Sequence, residues 1–204
     1  MKKAIFILAG VASAALSMAQ APLAPGGNSL VPAVALGPGM IIANRVDNFV
    51  GLDFFGNIAF TGKMESAVFQ RPGGFLSFLY RFENTGGGLA DPINRIAATD
   101  FAGFATAVRQ DPALALGLPT VNAITADRSA NGRRVGFDFV AVNPGAKSSL
   151  LIIDTNARFF RPGQVSILNG GTANVQAYAP VPEPATMLAL GAGVAALARR
   201  RKKA

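Results

Sequence analysis

Apolar residues at every second position, interrupted by glycine and proline, constrain this chain more than any other feature. Between Phe75 and Glu83, Leu76, Phe78, Tyr80 and Phe82 share one face, and Ser77, Arg81 and Glu83 share the other. A period of two with aromatic residues marks a half-buried strand. Val135, Phe137, Phe139 and Ala141 repeat the pattern opposite Gly136 and Asp138. Leu150 to Ile153 is apolar on both faces, as expected of a central strand. Val165 and Ile167 mark a further short strand, and Ala173, Val175, Ala177 and Ala179 mark a last one. The intervening Arg71-Pro72-Gly73-Gly74, Gly86-Gly87-Gly88, Asn143-Pro144-Gly145 and Asn169-Gly170-Gly171 have turn chemistry. Asn131-Gly132 predicts a tight hairpin turn that pairs Ile124 to Arg128 with Arg133 to Val142. Only Asp111 to Leu118 reads as a helical turn, with Pro112 near its first position. The expectation is an all-β fold: one antiparallel, jelly-roll-like β-sandwich of about eight to ten strands over residues 45–180. Residues 20–44, rich in Pro, Gly and Ala, form an extended entry segment with room for a first strand near Met40 to Ala43.

The two ends follow other rules. Lys2 and Lys3 precede an apolar run from Ala4 to Leu16, and Ser17-Met18-Ala19 supplies small residues at −3 and −1 of a cleavage site. That order is a secretory signal peptide, residues 1–19, cut by signal peptidase between Ala19 and Gln20. A cut after Ala21 would place Pro22 directly beyond the bond. At the other end, Pro182-Glu183-Pro184 breaks regular structure, because proline lacks an N–H and restricts its predecessor. An uncharged stretch from Ala185 to Ala198 follows, and then Arg199, Arg200, Arg201, Lys202 and Lys203. As a helix that stretch covers about 21 Å of a hydrocarbon core of roughly 30 Å, and its flanking residues extend it. The cations keep to the cytoplasmic side, so the rest of the chain is held outside by a transmembrane helix.

Val181, Pro182, Glu183 and Pro184, then an apolar helix, then Arg199, Arg200 and Arg201 resemble the PEP-CTERM sorting domain across residues 181–204. The resemblance implies recognition and cleavage by an exosortase, an integral-membrane protease, in bacteria that secrete exopolysaccharide. The body is also similar to uncharacterised β-rich PEP-CTERM proteins. The matching features are the turn at Asp127 to Gly132, the strand at Val135 to Phe139, and the segment Ile153 to Ala157. That second likeness implies a fold and no activity.

The net charge of +8 first suggests a nucleic-acid partner. Seven of the 19 basic residues lie in the two terminal signals, leaving 12 basic against 10 acidic residues between Gln20 and Val181. The basic balance is mostly addressing, and no nucleic-acid partner is expected. With no cysteine there is no disulfide, lipoprotein anchor, thiol nucleophile or iron–sulfur ligand set. With no histidine, Ser-His-Asp machinery and His-based zinc sites are excluded. No cofactor motif survives either, since Gly191, Gly193 and Ala196 fit a dinucleotide fingerprint only inside the membrane tail.

Carboxylates are the remaining chemistry, and none forms a close sequence pair. Asp91 and Asp111 precede prolines as loop initiators. Asp138 and Asp154, with Asn143 or Asn156, are candidates for a calcium site. Arg128, Arg133 and Arg134 around the hairpin turn are a candidate ligand patch for an acidic polysaccharide, or else a solvated hairpin tip. Phe54-Phe55 and Phe159-Phe160 read as core. The expected function is a non-catalytic, exported structural protein of the surface or extracellular matrix, associated with exopolysaccharide or biofilm. The alternatives are a secreted carbohydrate- or calcium-binding module and a secreted hydrolase that works with two carboxylates.

Overall fold

The computed structural model describes residues 20–114 and 119–181. The expected signal peptide, the expected apolar tail helix and the second half of the expected Asp111–Leu118 turn lie outside these residues. Among the described residues, no helix is long and apolar enough to cross a membrane.

The strands are β1 (Ala21–Pro22), β2 (Asn28–Leu30), β3 (Met40–Asp53), β4 (Ile58–Gln70), β5 (Leu76–Gly86), β6 (Ile93–Ala98) and β7 (Thr106–Asp111). They continue with β8 (Thr120–Val121), β9 (Thr125–Arg128), β10 (Val135–Val142), β11 (Ala146–Ser148), β12 (Leu150–Thr155), β13 (Phe159–Asn169) and β14 (Gly171–Val181). The all-β expectation holds. The strands do not divide into the two ladders of a sandwich, however. They follow one hydrogen-bonded path, β1-β7-β12-β5-β4-β3-β14-β13-β6-β10-β9-β2, with β11 and β8 branching beside β5.

The entry segment curls this path toward closure. β1 pairs with β7 at one end and β2 pairs with β9 at the other, so one short stretch of chain touches both edges. Ala33 then bridges back to Gln110 of β7. The Gln110 amide clasps the seam: its Nε2 donates to the Val31 and Ala123 carbonyls, and its Oε1 accepts from the Ala123 N–H. The result is a nearly closed, barrel-like sheet whose interior is its core.

The inward faces are those the alternation marked. Leu76, Phe78, Tyr80 and Phe82 are buried together with Val135, Phe137, Ile96 and Val165. Phe78 meets Phe101, and Phe82 meets Phe139, edge-to-face with ring centroids 5.7 and 5.4 Å apart. β12 is central, with β7 and β5 on its two sides. Its outward Ile152 joins Leu79 and Phe69 in a second apolar cluster covered by Leu36 of the entry segment. That cover is why β5 is buried on both faces along its first half, where the sequence predicts a half-buried strand.

The β9–β10 hairpin has the predicted pairing, with Arg128 opposite Val135 and Thr125 opposite Asp138. Its turn is wider than a two-residue loop. Only Gly132 takes a positive φ, of 69°, while the Asn131 side chain accepts from the Arg133 N–H. Asp111 caps the short 3-10 turn Pro112–Leu114 by accepting from the Ala113 N–H, and also holds the Leu36 N–H.

The largest departure is the β3–β4 hairpin, of which the sequence showed only the first residues. Its tip carries Phe54 and Phe55, 94% and 84% exposed, so these rings are not core. The Asp53 carboxylate accepts from the Phe55 and Asn57 N–H groups and fixes the tip. The tight turn leaves its central side chains no sheet face to pack against. β14 starts beside Asp53 and ends at Val181, so the tip and Val181 lie at opposite ends of the barrel.

Candidate functional site

A cleft of about 750 Å³ opens on the outside of the barrel where three local structures meet. Strand β13 supplies Arg161 and Gln164, and Gln176 of β14 lies opposite Gln164 in register. The turn after β6 supplies Asp100, and the β9–β10 turn supplies Arg133 and Arg134. Arg161 Nη2 lies 3.1 Å from Asp100 Oδ2, and Arg133 Nη2 lies 3.7 Å from Oδ1. Both guanidiniums stay open to solvent, with side chains 56% and 65% exposed. Asp100 has φ of 74°, a conformation that aspartate tolerates better than most residues. The turn is held there by the Phe101 N–H, which donates to the Arg133 carbonyl. The Arg134 N–H donates to Ser129 Oγ, so both arginines stand on pinned backbone.

Arg128, predicted to share this patch, is elsewhere. Its side chain is buried, and the residue is 4% exposed. Nε donates to the Gly132 carbonyl at 3.1 Å, Nη1 to Leu23 at 3.0 Å, and Nη2 to Phe101 at 2.7 Å and Phe104 at 3.0 Å. Desolvation lowers the pKa of this guanidinium. The hairpin alternation carries Arg128 inward and leaves Arg133 and Arg134 beyond the strand end, which is the physical reason for the separation. Arg128 thus ties together the two turns that flank the cleft. The sequence reading missed Arg161, Gln164 and Gln176, and no local signal marks them, because β13 and β14 reach the cleft only through the sheet order.

Two other charged clusters bridge strands of the sheet. Arg95 reaches Asp127 at 2.6 Å and Asp138 at 2.5 Å across β6, β9 and β10. Burial lowers the Arg95 pKa, but hydrogen bonds and charge from the two carboxylates outweigh it and raise the net value. Gly136 lies beneath this bridge. A Cβ there would sit 2.3 Å from Arg95 Nη2 and 2.6 Å from Asp127 Oδ1, so the glycine of the Val-Gly-Phe strand makes room for the ion pair.

On β12, Asp154 is buried against Arg109 at 2.8 Å and accepts from Ser77 Oγ. Arg71 lies 3.6 Å away and donates to the Thr155 carbonyl. Asp138 and Asp154 therefore sit on strands that are not neighbours, each against its own arginine. The structure does not bring these two calcium-site candidates together. No group of three acidic, histidine or cysteine ligands occurs among the described residues. Asp127 and Asp138 share Arg95, Glu65 and Glu83 share Lys147, and neither couple lines the cleft.

Residues 180–202 match the model of the PEP-CTERM protein-sorting motif. The chain carries a PEP-CTERM sorting motif. This match covers the predicted Val181, Pro182, Glu183, Pro184, Arg199, Arg200 and Arg201. The PEP-CTERM motif implies export and membrane-anchored processing by an exosortase toward the cell surface. Searches of curated proteins and of solved structures gave no match to the chain. The cleft lies toward the Val181 end of the barrel, since Arg161 pairs with Ala179.

Proposed function

We propose that this chain is a non-enzymatic structural protein of the cell surface or extracellular matrix, associated with exopolysaccharide or biofilm. On this reading signal peptidase removes residues 1–19, the apolar stretch Ala185 to Ala198 holds the chain in the inner membrane, and exosortase then cuts near Pro184. The observation that carries the reading is the sorting motif at residues 180–202. The absence of histidine and cysteine from the sequence, and the engagement of Asp127, Asp138 and Asp154 by arginines, support a role without catalysis.

Intact mass of the native protein from culture medium and from membranes tests this proposal. The expected species starts at Gln20 and ends near Pro184. A membrane-bound species still ending at Ala204, with nothing shorter, would overturn the processing route. The cationic cleft favours a second reading, in which the β body is a carbohydrate-binding module.

A further inference from the structure

We propose that the cleft between β13 and the two turns binds a polysaccharide that carries carboxylate groups. The inference rests on the second reading above and adds the ligand's chemical class and the residues that select it. Three guanidiniums, those of Arg133, Arg134 and Arg161, face one carboxylate, Asp100, so the cleft carries excess positive charge. Arg134 is the open member: its guanidinium has no hydrogen bond or ion pair among the described residues, and only its backbone N–H is engaged.

Asp100 serves as an internal counter-ion. It sits between Arg133 and Arg161 and holds both heads at the rim without covering Arg134. A guanidinium offers a planar fork that matches a carboxylate. The rest of the lining is uncharged and mostly polar. The Gln164 and Gln176 side-chain amides make no hydrogen bond among the described residues and present donors and acceptors suited to sugar hydroxyls. No aromatic ring lines the cleft, so a nucleobase would find no stacking platform. The volume, about 750 Å³, suits a few linked sugar units. Because Arg128 holds the flanking turns from inside, the cationic rim is positioned before any ligand arrives.

The test is titration of the full chain, in mild detergent, with polygalacturonate, neutral dextran and phosphatidylglycerol vesicles at two salt concentrations. Polygalacturonate should bind and weaken with salt, while dextran should not bind. Arg134→Gln should weaken binding about tenfold, and Arg133→Gln with Arg161→Gln should weaken it further. Lys63→Gln, at an exposed cation on β4, is the charge control and should leave affinity unchanged. Equal binding of dextran and polygalacturonate would overturn the acidic selectivity and leave the carbohydrate reading standing. No binding of either polymer would overturn both. Unchanged affinity in the arginine variants, or binding to vesicles alone, would overturn the cleft as a polysaccharide site. Circular dichroism confirms that these exposed-residue variants fold.

Discussion

Replacing Arg128 with methionine tests the claim that this residue belongs to the architecture of the site and not to its surface. Methionine keeps much of the unbranched stem and removes every donor. Four backbone carbonyls, those of Leu23, Phe101, Phe104 and Gly132, then lose a charged donor. Each such hydrogen bond contributes about 1.5–3 kcal/mol net, and a stranded buried carbonyl costs about 1–3 kcal/mol. Two effects reduce the total: the turn carbonyls lie near the surface and rehydrate in part, and removing the guanidinium relieves its own desolvation. The expected loss is about 3–5 kcal/mol. With a urea slope of about 2 kcal/mol per molar, the unfolding midpoint should fall by roughly 1.5–2.5 M. Far-ultraviolet circular dichroism is the assay, since the chain has no tryptophan. Arg128→Lys should recover only a minor part, because an ammonium cannot span carbonyls on both turns and at Leu23. A midpoint shift below about 0.3 M for Arg128→Met, comparable to a solvent-exposed substitution, would refute the reasoning.

Two further outcomes follow from the geometry. Gln110→Leu removes three hydrogen bonds at the barrel seam and strands the groups of Val31 and Ala123, so thermal unfolding should show a loss of about 2–4 kcal/mol; an unchanged melting temperature would mean that the entry segment does not close the sheet. Tyr80 is fully buried, and desolvation, aided by the Asp100 charge, pushes its hydroxyl well above the usual phenol range. Its folded pKa exceeds the unfolded value of 10.0, so its contribution to stability is complete below pH 10 and declines above it. In a Tyr178→Phe background, phenolate absorbance should therefore appear only together with alkaline unfolding, and ionisation of Tyr80 in the folded protein would contradict its burial.

Much of the barrel was legible because a strand's period of two is a local property. The inward face of β5, the β9–β10 pairing and the central place of β12 all follow from residues adjacent in the chain. The β3–β4 hairpin was not legible beyond its start. Its outward face mixes Val46 and Val50 with Asn44 and Asn48, all exposed, so no clean amphipathic contrast marks it. Phe54 and Phe55 show the same limit: hydrophobicity marks a preference for burial, but the turn geometry offers them no interior.

Of the site, Arg133 and Arg134 were readable as cations beside a glycine turn. Arg161 and the Gln164–Gln176 pair were not, because they reach the cleft through the adjacency of β6, β13 and β14. The β class, several strand faces and the C-terminal address at residues 180–202 depend on the order of nearby residues and are therefore legible along the chain. That the sheet is one curling path, that Arg128 turns inward and that Arg161 joins the rim emerges only in the folded chain. Those outcomes depend on which distant backbone carbonyls, carboxylates and strand edges come within hydrogen-bond reach. Period reports which face a side chain takes; partners across the fold decide whether that face is a core, a clamp or a cleft.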